Sequence, residues 1–306
     1  MRELAIVTVT LAFACALPAQ IKSGPPLPHK LVPDWPHLPK GWNLGECSGV
    51  AVDKQDNVWV FNRGAHPILQ FDSAGNLLQS WPGEMVKSAH GIRIDRDGNV
   101  WAIDVQGNTI LKFGPDGHLR MVLGGVGGAP GDNDSKDAYN RPTNVAFAPN
   151  GDFFISDGYG NSRVVKYNKD GDYLLHWGRH GTGDGEFNLV HDIVLDDSER
   201  LYVADRNNAR VQIFDVNGKY LGKWTDVGVP WGLDYVSREK AIYMCDGVNG
   251  RVVKLSLDGQ ILGVLGSPGK APGKFDFAHQ IAVDSTGAIY VAEIKNWRVQ
   301  KFAKQQ

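Results

Sequence analysis

Between His191 and Phe214 the chain alternates three short apolar, β-branched runs (residues 193–195, 201–204 and 211–214) with polar turns of five or six residues. Alternation broken by turn residues predicts an antiparallel meander, not a helix. The unit recurs six times, and a period of about 40–50 residues built from short strands is the sequence mark of a β-propeller. The copies open at Ser48, His90, Thr143, His191, Trp231 and His279. Their second strands end at Asn62, Asp104, Asp157, Asp205, Asp246 and Glu293, and third strands follow at 68–71, 110–113, 164–167, 211–214, 252–255 and 299–302. Pairs such as Asp116-Gly117, Asp170-Gly171, Asn217-Gly218 and Asp258-Gly259 supply the positive φ that tight hairpins require.

The predicted fold is all-β, a six-bladed propeller over residues 46–303. The sixth copy stops after its third strand, at Phe302. An open edge there would invite association, so residues 20–45 are expected to form an extended, Pro-rich lead-in whose segment 30–35 supplies the missing outer strand. The repeat resembles the NHL-repeat family of six-bladed propellers, whose unit also runs from a Gly-Ile-Ala-Val-Asp-like strand to an Arg-Val-Gln-like strand. Of the longer connections, 124–140 could form a rim or lid, or be a plain insertion.

Residues 1–19 carry Arg2, an apolar core from 5 to 17 and a small-residue end at Ala19. That order predicts a cleavable signal peptide cut before Gln20, and hence a secreted or periplasmic protein with no integral membrane span. Lipid anchoring at Cys15 is the weaker reading, because Ala-Phe-Ala-Cys is a poor lipobox. Formal net charge is −2 with no basic run, which sets nucleic acid aside. Beyond the leader only Cys47 and Cys245 remain. They fall in blades one and five, with blade six between, so two unpaired, buried thiols are expected. A monomer is expected.

The first strand of a propeller blade lines the central channel. Blades two, four and six therefore bring His90, His191 and His279 to one level, about a third of a turn apart. One such histidine would be read as a satisfied core residue. Three at equivalent, alternate positions form a tripod of imidazoles, the ligand set that catalytic zinc uses, with a fourth place open for water or substrate. Arg63 and Arg206 follow the second strands of blades one and four, facing each other across the ring, and Tyr159 lies one position further along in blade three. Cations able to grip a carboxylate, beside a phenol, complete a candidate site.

The segments Phe61-Asn-Arg-Gly64, Ala89-His-Gly-Ile92, Ser156-Asp-Gly-Tyr-Gly-Asn-Ser-Arg163, Val190-His-Asp192, Val203-Ala-Asp-Arg206 and Ala278-His-Gln280 together resemble the peptidyl-α-hydroxyglycine α-amidating lyase family. The resemblance implies Zn2+ on His90, His191 and His279, with Tyr159 and Arg63 as catalytic residues and Arg206 near the same site. The substrate it implies is a small peptide ending in α-hydroxyglycine, which falls apart into an amide and glyoxylate. Four positions depart from the family. Phe277 replaces a Met beside the third ligand. Gln280 replaces an Asp that contributes to a structural Ca2+ site, which puts calcium in doubt. Asn140 and Gly160 replace paired cysteines. Two other functions fit such a chain: a metal-dependent hydrolase of the lactonase kind, whose ligands would be carboxylates and Asn, and an exported binding module for protein or polysaccharide with inert histidines.

Overall fold

The computed structural model describes residues 21–305; the expected signal peptide lies outside them. Six four-stranded antiparallel sheets stand around a central axis. Their innermost strands are Cys47–Val52, Ala89–Ile94, Pro142–Phe147, Val190–Leu195, Pro230–Val236 and Ala278–Val283. Each opening residue named above is the second residue of its inner strand. The all-β, six-bladed reading therefore holds, with the expected register.

Local chemistry explains why the strands turn where they do. Asp53, Asp95, Asp196 and Asp284 directly follow inner strands, and each accepts backbone N–H groups two and four residues on, closing the first hairpin. The same four carboxylates accept from an aromatic on the second strand: Trp59, Trp101, Tyr202 and Tyr290, at 2.9–3.1 Å. A second device ties the blades together. In blades three to six an arginine opening the third strand donates to the acid ending the second: Arg163 to Asp157, Arg210 to Asp205, Arg251 to Asp246 and Arg298 to Glu293. The remaining guanidinium nitrogens of Arg163, Arg210 and Arg298 hold backbone carbonyls of the connection entering their blade, whereas Arg251 reaches the carbonyl of Lys22 in the lead-in. Arg163 thus grips the carbonyls of Asn133, Ser135 and Ala138. This resolves the character of 124–140, which is clasped to blade three and is not a free lid.

Closure follows the expected logic with a shift in position. The outer strand of blade six is His29–Val32, paired antiparallel with Arg298–Lys304. The strand does not continue to Trp35 as expected, because Pro33 has no N–H to donate and Asp34 takes a left-handed φ of 57°. Upstream, the lead-in also edges blade five: Leu27 N–H donates to Val264 O, Val264 N–H to Pro25 O, and Arg251 holds Lys22 O. Cys47 and Cys245 are free and buried, as expected. Among the described residues no helix is long and apolar enough to cross a membrane.

Candidate metal centre

The three histidines meet on the axis. Their ring centroids are 4.7–4.9 Å apart, their ligand atoms lie within 4.8 Å of one another, and all three are buried. What orients them is the neighbouring blade. His90 Nδ1 lies 2.8 Å from Thr143 O, His191 Nδ1 2.8 Å from Trp231 O, and His279 Nδ1 2.6 Å from Ser48 O. A carbonyl can only accept, so each Nδ1 carries the proton and each Nε2 presents a lone pair to its neighbours. The six opening positions thus divide by role: blades two, four and six give imidazoles, and blades three, five and one give the carbonyls that aim them.

Charge agrees with this tautomer. Burial lowers the pKa of His90 and His191 well below the ordinary imidazole value, with mutual repulsion adding to it. His279 is lowered to about 3, first by burial and then by the charges of Arg63 and Arg206. Three neutral, preoriented imidazoles with turned-in lone pairs fit a divalent transition metal such as zinc, and outer hydrogen bonds of this kind are what such sites use to fix their ligands.

Tyr159 leans over this cluster. Its hydroxyl lies 3.1 Å from His191 Nε2 and 3.3 Å from His90 Nε2, and Arg206 Nη1 donates to it at 3.3 Å. The loop can come this close because of Gly158, where any Cβ would collide with the Val190 carbonyl beside His191. Arg206 is itself seated on Trp231, 4.4 Å from the ring centroid, and Trp231 meets Phe277 edge-on at 4.5 Å. Arg63 is placed differently: it donates to Ala89 O at 3.0 Å and pairs with Glu46 at 2.6 Å. Its charge reaches the histidines, while its Nε holds the chain next to His90 and its Nη1 is taken by Glu46. Asn140 and Gly160, the positions of the family's paired cysteines, do adjoin; the Asn140 side chain fills the space a Cβ at Gly160 would need.

Two site residues escape a reading of the sequence. One is Arg141, whose guanidinium lies 5.1 Å from the Tyr159 ring centroid. The other is Arg93, which crosses the channel beneath the histidines and donates to the Asp192 carboxylate at 3.1 Å and to Leu233 O at 2.7 Å. The neutral Gln280 offers its amide oxygen to the N–H groups of Val50 and Ile92. With Gln280 so engaged and a guanidinium already in the channel, the residues present do not fit a calcium ion there.

Fold and site together define a six-bladed β-propeller with a trihistidine hub suited to a metal ion. Residues 187–214 match the NHL repeat family model. The human NHL repeat-containing protein 3 is 32% identical over 300 residues, covering 90% of this chain and 84% of that protein. The chain belongs to the NHL-repeat family. Peptidyl-α-hydroxyglycine α-amidating lyase 1 of Drosophila melanogaster is 28% identical over 281 residues, 83% of this chain but 44% of that protein. Among solved structures, a gluconolactonase of Xanthomonas campestris aligns with a TM-score of 0.64 at 16% identity, covering 93% of this chain and 99% of the other, which shows shared fold alone.

Proposed function

We propose that the protein is a metal-dependent carbon–nitrogen lyase that cleaves peptidyl-α-hydroxyglycine, or a related N-α-hydroxyalkyl amide, to an amide and glyoxylate. The observation that carries this reading is the Tyr159 hydroxyl, held by Arg206 within hydrogen-bonding distance of two of the three converging Nε2 atoms. The similarity to an amidating lyase over 83% of the chain supports it.

His90, His191 and His279 would hold the metal, which when bound would supply Lewis acidity toward a substrate hydroxyl. The remaining work falls to protein groups. The Tyr159 oxygen accepts the hydroxyl proton and delivers a proton to the amide nitrogen as the C–N bond breaks, so the tyrosine is unchanged over a cycle. The electron pair of that bond leaves with nitrogen, and the carbinol carbon becomes the aldehyde of glyoxylate. Arg206 fixes the phenol and its charge faces the substrate carboxylate. Arg63 acts through the backbone at Ala89, keeping His90 in place. The test is glyoxylate release from an α-hydroxyhippurate-type compound by protein loaded with zinc. No glyoxylate from folded, loaded protein would overturn the reading.

A further inference from the structure

Arg141 differs from the other two arginines of the mouth in three respects. Arg63 is neutralised by Glu46, and Arg206 is engaged by Tyr159, Asn207 and Trp231. Arg141 is exposed, and among the described residues no side chain or carbonyl accepts from its guanidinium. Its backbone, second, is in the left-handed region at φ 60°, a costly conformation for a residue with a Cβ. Two hydrogen bonds hold it there: its N–H donates to Asn108 Oδ1 at 2.7 Å, and its carbonyl accepts from Tyr159 N–H at 3.3 Å. Third, both guanidinium groups face the Tyr159 ring, at 5.1 Å for Arg141 and 5.4 Å for Arg206, but Arg206 alone also donates to the hydroxyl.

These placements separate two parts of a substrate. In an N-acyl-α-hydroxyglycine the carboxylate is attached to the reacting carbon and stays beside the hub, within reach of Arg206. Arg141 stands along the tyrosine from that point, where the acyl portion extends away. An unpaired cation on a fixed stretch of backbone at that place selects for negative charge. Resting on the lyase reading, we propose that Arg141 is the specificity-determining residue for the acyl portion, and that the site favours substrates carrying a second carboxylate there: acidic peptides or N-acyl dicarboxylates.

The test compares two ligands that lack the α-hydroxyl and cannot be cleaved, N-succinylglycine and N-benzoylglycine. Their binding to the zinc-loaded full-length chain is measured by calorimetry. The expected result is a preference of about tenfold for the dicarboxylate, as one charge-assisted contact provides, shrinking as salt is raised. Arg141→Gln should bring the ratio of the two affinities to about one, and Arg141→Lys should keep part of it. Equal affinities in the native protein, no binding of either ligand, or an Arg141→Gln variant that weakens both alike would overturn the proposal, the last pointing to a purely structural role. Glyoxylate release from the two α-hydroxylated counterparts forms a separate arm. A dicarboxylate preference that depends on Arg141 in a protein that releases no glyoxylate would sink the lyase reading and leave the anion site standing.

Discussion

His279 Nδ1 and the Ser48 carbonyl oxygen stand 2.6 Å apart although 231 residues separate them in the chain. This contact joins the last inner strand to the first, and it aims the third imidazole of the hub. Closure of the propeller and assembly of the candidate metal site are therefore one event.

Zinc reconstitution should give about one ion per chain, as a single three-ligand site holds. His90→Ala and His279→Ala should each reduce bound metal to a small fraction of that, while the far-ultraviolet circular dichroism of the propeller is unchanged. Mass spectrometry of metals after dialysis decides the matter. A second equivalent of tightly held calcium would contradict the placing of Arg93 and Gln280.

Acid should destabilise the metal-free protein through the hub. The folded pKa values of His90, His191 and His279 are lowered by burial, that of His279 to about 3. As pH falls below about 6.5 the unfolded chain takes up protons that the folded hub refuses, so stability declines across the window from there toward about 3. Urea titrations of the apo protein at pH 7 and pH 5 should show the loss, and His279→Gln should make it smaller.

Tyr159→Phe should lower kcat by about 10²–10⁴-fold, the usual contribution of a positioned proton-transfer group, with metal content intact. Arg206→Met should also reduce turnover while the metal stays bound. A Tyr159→Phe protein with native kcat would remove the phenol from the chemistry.

Arg163→Met should cost about 3–5 kcal/mol, since it leaves the buried Asp157 carboxylate without its partner and three carbonyls of the clasped connection without donors. Denaturant unfolding measures this. A double variant with Asp157→Asn should recover part of the loss, because the unpaired buried charge is then gone.

How much of this was legible in the sequence depends on what kind of group does the work. The blades were readable because period-two alternation and the Asp-Gly and Asn-Gly hairpin turns repeat in one register. The histidines were readable for the same reason. Their carbonyl partners were not: Ser48, Thr143 and Trp231 act through the backbone, so side-chain identity there is free to vary and carries no signal. Arg93 and Arg141 were missed because their importance depends on reach across the ring and on a left-handed backbone, and neither leaves a periodic trace. The end of the closing strand, by contrast, could have been placed from Pro33 alone.

The pairing of His29–Val32 with Arg298–Lys304 also sets a timetable. Residues 29–32 are made long before the strand they pair with, so no stage of synthesis before that strand emerges offers the full set of contacts. Long-range pairing of this kind slows folding and keeps apolar strands waiting. A chain truncated before Arg298 should therefore persist as a protease-sensitive species instead of a smaller native one.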